Sequence, residues 1–176
     1  KIDSYYYIPH RQKEGYGISQ KAIDYGIKIG AKLIISCDCG ITAVDQVEYA
    51  NKNKLDFIIT DHHKQKDILP NAYAILNPNQ NDCNYPFKGL CGAGVAFKLC
   101  LGINNELGNN KDNVYKYLDL VAIATTADVM PVLDENRIIL SEGMKRILSG
   151  NNKGIKSLIN VSGLNNPGLT VGKLSY

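Results

Sequence analysis

The sequence predicts an α/β protein, a mainly parallel sheet flanked by helices and followed by a helical segment. Two short runs, Leu33-Ile34-Ile35-Ser36 and Ile58-Ile59-Thr60, are apolar and β-branched, as buried strands are. A helix-like stretch separates them, and strands that alternate with helices imply parallel βαβ units. Each run ends in side chains that bind metals or protons: Cys37-Asp38-Cys39-Gly40 after the first, Asp61-His62-His63 after the second. In open α/β sheets, ligands gather at the carboxyl ends of parallel strands.

Taken in order, Ser4 to Pro9, with Tyr5-Tyr6-Tyr7-Ile8, reads as a strand rich in aromatic and branched residues. Gly15-Tyr16-Gly17 makes a turn, and Ser19 caps a helix that runs to about Lys28 with Ala22, Ile23 and Ile27 inward. Gly30 stops it. Lys32 to Ser36 is the next strand, apolar on both faces like the one after it. Thr42 caps a helix with Val44, Val47 and Ala50 inward, followed by strands at 56–60 and 73–76. Residues 77–90 form a loop, marked by Asn77-Pro78-Asn79 and Tyr85-Pro86. Helices are expected over 92–103, 113–127, 135–148 and 154–162. The second of these is apolar all round, through Leu118, Leu120, Val121, Ala122, Ile123 and Ala124, and so reads as buried.

The chain has 176 residues, 44% of them hydrophobic and 21% charged, enough for a sizeable core. No apolar run approaches the ~18 residues of a membrane span, and no secretory signal opens the sequence. A formal charge of +3 neither demands nor excludes nucleic acid as a partner. Five cysteines, an odd number, predict reduced thiols in a cytoplasmic protein. Cys37 and Cys39 share one strand face; they read as small buried residues, with a soft-metal site as the alternative.

Asp38 stands where a strand meets a glycine and is placed either to reach a metal or to bind nearby backbone N–H groups. Side chains of His62 and His63 diverge from a strand end, so one can ligate a metal while the other faces substrate. Asp61 is better suited to orient a histidine than to ligate, since ligating imidazoles need such a partner. Asp128 ends the apolar helix, where a carboxylate meets the negative end of the helix dipole unless a cation is near. Gly92 and Gly94, in Leu90-Cys91-Gly92-Ala93-Gly94-Val95, leave backbone N–H groups open at a helix start, suited to phosphate or to close packing. Asp38, His62 and Asp128 form an oxygen and nitrogen set that suits Mn2+ or Mg2+, the usual ions of phosphoryl hydrolysis.

These pieces resemble the DHH phosphoesterase superfamily, and within it the RecJ-type single-stranded-DNA-specific exonucleases. The carriers are Tyr7-Ile8-Pro9 with Glu14-Gly15-Tyr16-Gly17, Asp38-Cys39-Gly40, Thr60-Asp61-His62-His63 and Cys91 through Leu99. Asp119-Leu120-Val121-Ala122, Ala127-Asp128-Val129-Met130-Pro131 and Glu135-Asn136-Arg137 follow in the same succession. The resemblance implies a 5′-to-3′ exonuclease on single-stranded DNA, acting in repair and recombination with Mn2+ or Mg2+. It implies that Asp38 bridges two metals, that His62 and Asp128 ligate one of them, and that His63, held by Asp61, faces the scissile phosphate. Gly92, Gly94 and Arg11 are the candidate phosphate contacts. The family's paired-aspartate motif on the first strand, and its second domain, have no counterpart here. A partial DHH domain is therefore expected over residues 1–150, and the start of a helical connection over 151–176. The expected consequences are weak metal binding, low or absent activity of the isolated chain, and self-association through an unpaired sheet edge. Metal binding should also weaken below about pH 6.5, as imidazoles protonate. The alternatives are a DHH-type phosphatase or oligonucleotide phosphodiesterase, and a non-catalytic nucleic-acid-binding module.

Overall fold

The structure, a computed structural model, describes residues 3–164 and 168–174. Of the 151–176 segment, residues 165–167 and 175–176 lie outside the described residues. The chain divides into two compact units, Lys1–Cys83 and Asn84–Tyr176.

In the first unit a single helical turn, α1 (Arg11–Glu14), precedes α2 (Gln20–Lys28). β1 (Leu33–Cys37), α3 (Val44–Lys52), β2 (Asp56–Thr60) and β3 (Ala74–Leu76) follow. The sheet has the order β1-β2-β3 and both pairings are parallel, with Leu33 opposite Asp56 and Ile58 opposite Ala74. The Ser19 side chain caps α2 by accepting from the Ala22 N–H. At the other end Gly30, at φ 71°, takes the left-handed turn that lets its own N–H and that of Ala31 close on the carbonyls of Ile27 and Gly26. Ile23, Val47, Ala50, Leu55, Phe57 and Ile59 form the core of this unit. Full burial of each large member is worth about 1.5–3 kcal/mol.

Several local expectations are corrected. Ser4 to Pro9 forms no strand, and Tyr5, Tyr6 and Ile8 are exposed. Strand-forming residues make a strand only where a ladder partner lies alongside. Ile27 faces outward while Gly26 takes the buried position, where Ile34 and Leu55 pack 3.3 and 3.4 Å from where a Cβ would stand. α3 begins after Ala43 with no side-chain cap, so Thr42 does not cap it. β1 is not buried on both faces: Leu33 and Ile35 are 43% and 45% exposed. Cys37 is exposed as well, and all five cysteines are free thiols.

The second unit is helical: α4 (Gly92–Glu106), α5 (Asp112–Tyr115), α6 (Leu118–Ala127), α7 (Asp134–Ser149) and α8 (Lys153–Val161), with a 3₁₀ turn at Val171–Lys173. The helix expected over 113–127 is broken at Lys116 and Tyr117. α6 is also not buried all round, since Leu120 is 48% exposed. Its buried side, with Leu118, Val121 and Ala122, faces α7. Asn136, fully buried, donates to the carbonyls of Gly89 and Pro131 and so ties two loops to the start of α7. Glu135 accepts from both Lys98 and Tyr85. No helix among the described residues is long and apolar enough to cross a membrane.

Candidate metal centre

The ends of β1 and β2 are clamped before they reach the functional residues. The Thr60 hydroxyl donates to the Ser36 carbonyl at 2.7 Å, the Asp38 N–H to the Thr60 carbonyl at 2.9 Å, and the Asp61 N–H to the Leu76 carbonyl at 3.0 Å. The ladder thus runs one residue beyond each strand and fixes where Asp38 and Asp61 begin. Asp38 then adopts φ 62°, a left-handed conformation that aspartate tolerates better than most residues. The Ser36 hydroxyl bonds the Cys39 carbonyl across this turn. Gly40, at φ 118°, must be glycine: a Cβ there would lie 2.9 Å from Ser36 Oγ.

Asp61 is the buried organiser of the second strand end, only 1% exposed. Its Oδ2 accepts from the Ile41 N–H at 2.9 Å. Oδ1 accepts from the N–H of His62 at 2.7 Å, the N–H of His63 at 3.1 Å and the His63 Nδ1 at 2.6 Å. Burial works to raise the Asp61 pKa, but the bonds from Ile41, the His63 ring and the two histidine N–H groups outweigh it and hold the carboxyl below its usual value. An ionised acceptor at Nδ1 puts the proton on Nδ1 and leaves Nε2 of His63 as an acceptor. The Tyr16 hydroxyl lies 3.2 Å from that Nε2 and 3.4 Å from the Asp38 carbonyl, with Arg11 5.8 Å above the Tyr16 ring. From below, Asn77 donates to the His63 carbonyl and Asn79 to the His62 carbonyl, while Asn77 Oδ1 accepts from the Asn79 N–H.

His62 Nε2 lies 3.2 Å from Asp38 Oδ1. Donor atoms of Asp38, His62 and His63 all fall within 4.8 Å of one another. Two neighbouring ligands of an octahedral ion at ~2.1 Å stand ~3 Å apart, and opposite ones ~4.2 Å apart. The 3.2 Å Asp38–His62 pair has the spacing of neighbouring ligands of one divalent ion, with His63 close enough to join after a small shift, and the oxygen and nitrogen set suits Mn2+ or Mg2+. The soft-metal alternative fares worse. Neither Cys37 nor Cys39 joins the cluster of donor atoms, and burial, followed by the charges of Asp61 and Asp38, pushes the metal-free Cys39 thiol up to about 11.

The first unit thus brings together Asp38, Asp61, His62 and His63, with Arg11 close to Tyr16. Asp128, Gly92 and Gly94 belong to the second unit. Asp128 follows α6 as its exposed C-cap. Gly92 and Gly94 open α4, where the Cys91 sulfur accepts from the Gly94 N–H. The sequence reading assigned no role to Tyr16, Asn77 or Asn79. For the asparagines a signal existed, two amides flanking Pro78 directly after a strand; for Tyr16 the signal was its place in Glu14-Gly15-Tyr16-Gly17, which does not point to His63, 47 positions away.

The N-terminal domain of the DHH family matches residues 1–125. The single-stranded-DNA-specific exonuclease RecJ of Bacillus subtilis (strain 168) is 46% identical over 158 residues, 90% of this chain and 19% of that protein. That of Escherichia coli (strain K12) is 40% identical over 181 residues, 97% of this chain and 31% of that protein. The chain therefore spans about a fifth to a third of the length of these relatives. A crystal structure of exonuclease RecJ bound to manganese superposes with a TM-score of 0.83 at 30% identity, over 97% of this chain and 42% of the other. RecJ from Thermus thermophilus in complex with Mn2+ gives 0.75 at 28% identity, over 89% and 23%.

Proposed function

The chain belongs to the DHH family, and from that premise we propose that it supplies the metal-holding part of a single-stranded-DNA-specific exonuclease acting in repair and recombination. The observation that carries this reading is the meeting of Asp38, His62 and His63 at the ends of two adjacent parallel strands, with their donor atoms within 4.8 Å. Asp38 and His62 hold the ion. A bound Mn2+ or Mg2+ neutralises charge on phosphate oxygens and activates water for attack on phosphorus. The chain's own residues do the rest. Asp61 keeps the His63 proton on Nδ1, so that Nε2 is presented as an acceptor beside the Tyr16 hydroxyl. Arg11, exposed and next to Tyr16, offers a cation to the backbone of the strand being cut. For Asp128, Gly92 and Gly94 the proposal rests on the family resemblance alone. Free cysteines accord with a reducing, cytoplasmic setting.

The test is Mn2+-dependent digestion of long single-stranded DNA by the intact protein, with duplex DNA and dinucleotides as competitors. The expected result is preference for the long single strand. Asp38→Ala and His62→Ala should each lower the rate about 100-fold or more, since a metal contributes several kcal/mol to the barrier. Faster hydrolysis of dinucleotides would replace the exonuclease with a small phosphodiesterase, and salt-sensitive binding without cleavage would leave a binding module. Full Mn2+ affinity in Asp38→Ala, read by electron paramagnetic resonance, would remove the proposed site altogether.

A second proposal concerns assembly. Among the described residues β1 pairs with β2 alone, and it presents Leu33 and Ile35. An open, apolar edge pairs readily with another chain. Sedimentation should show concentration-dependent dimers of this chain, reduced in Ile35→Lys; a monomer throughout the micromolar range would exclude this.

A further inference from the structure

Glu14 is absent from the metal cluster, yet its carboxylate binds three groups of the loop that reaches it. Its Oε2 accepts from the Tyr7 hydroxyl at 2.8 Å and the Ser19 hydroxyl at 2.7 Å, and its Oε1 from the His10 N–H at 3.0 Å. These bonds pull its carboxyl down to about 2, with the His10 N–H the largest influence and Ser19 and Tyr7 next. The carboxylate is therefore charged at any working pH, and its hydrogen bonds are of the stronger, charge-assisted kind. Ser19 spends its one proton on Glu14 and uses a lone pair to cap α2, so the carboxylate is tied through one hydroxyl to the helix packed in the core.

The rest of the loop turns on two glycines. Gly15 and Gly17 take φ 83° and 90°, with open space where each Cβ would stand. They are glycines for the turn, not for want of room, and between them stands Tyr16, 67% exposed. Two left-handed glycines and little packing leave the Tyr16 position to be set from outside the 15–17 segment. The group that closes this loop on itself is Glu14, binding residues before it (Tyr7, His10) and after it (Ser19).

We propose that Glu14 is a positioning residue: its carboxylate closes the 7–19 loop so that Tyr16, with Arg11 against its ring, meets Nε2 of His63. This rests on the exonuclease reading of the site. Loss of the carboxylate then leaves the ion's ligands in place but lets the Tyr16 and Arg11 lip wander. Substrate capture suffers and the chemical step does not.

The experiment pairs Glu14→Ala and Glu14→Gln with Tyr16→Phe and with the double variant Glu14→Ala/Tyr16→Phe. The first readout is the His63 ring nitrogen resonance in histidine-labelled protein, which needs no activity. Glu14→Ala should move it as Tyr16→Phe does, Glu14→Gln should move it part of the way, and the double variant should move it no further. The second is steady-state digestion of single-stranded DNA by the intact protein carrying Glu14→Ala: KM rises about tenfold with kcat within about twofold and Mn2+ affinity unchanged, the pattern of lost uniform binding. A His63 signal identical to wild type in Glu14→Ala overturns the proposal, as does a kcat loss that simply follows a fall in melting temperature. A His63 signal that moves in Glu14→Ala, while the intact wild-type protein shows no nuclease activity, upholds the positioning by Glu14 and overturns the exonuclease reading instead.

Discussion

Asp61→Ala is expected to lower the melting temperature by about 6–12 °C and to weaken Mn2+ binding by about 10–100-fold. The stability loss follows from what the carboxylate serves. It is 1% exposed and accepts from three backbone N–H groups and one ring N–H. Alanine leaves the N–H groups of Ile41, His62 and His63 without their acceptor, at about 1–3 kcal/mol for each that stays buried. Water reaches the histidine side in part, so the net cost is about 3 kcal/mol rather than the full sum. The affinity loss follows from His63, whose ring is no longer held by its Nδ1, and from the shared turn that carries His62. The sign with pH is fixed by the direction of the shift. The folded Asp61 carboxyl lies below its usual value. Its contribution is therefore complete above the ordinary carboxylate range near pH 4 and fades as pH falls through the lower, folded value. Melting curves of wild type and Asp61→Ala should differ most near pH 7 and converge in strong acid. Asp61→Asn should fall between, since an amide keeps one acceptor oxygen but turns an NH2 toward the remaining donors. A melting temperature within 2 °C of wild type in Asp61→Ala would sink this account.

The strand ends that carry the site were legible because two local signals coincide there. The β-branched run Phe57-Ile58-Ile59-Thr60 stops at residues that have no business in a ladder, Asp61-His62-His63, and Leu33 to Ser36 stops at Asp38 and a glycine. What was not legible depends on partners distant in sequence. Tyr5-Tyr6-Tyr7-Ile8 has strand composition, but composition does not supply a neighbouring strand. The break between α5 and α6 has no glycine or proline to announce it; Lys116 keeps a helical conformation, but Tyr117, at φ −90° and ψ 3°, leaves it and shifts the bonding. Ile27 satisfies helical periodicity yet faces out, because Gly26 is the residue that lets α2 approach Ile34 and Leu55. At the site the same division holds. Asp61 beside His62 and His63 is a local fact, whereas Tyr16 against His63 exists only once the chain has folded.

Gly143→Ala is expected to destabilise the second unit by about 2–4 kcal/mol, although alanine is the better helix former by about 1 kcal/mol. The sign reverses because Gly143 lies in the interior of α7 where α6 comes closest. A Cβ there would run into the Cβ of Ala122 and stand 2.5 Å from the Leu118 carbonyl oxygen. Neither obstacle can rotate away: one is a methyl on a helix and the other is backbone. The helices must part, which loosens the contacts that bury Val121, Ala122, Ile139 and Leu140. Ala122→Gly in the same chain should restore only part of the loss, since it removes the methyl clash and leaves the Leu118 carbonyl in the way. Thermal melts followed by circular dichroism decide the matter: an unchanged or higher melting temperature in Gly143→Ala means that propensity, not the close approach of α6 and α7, governs this position.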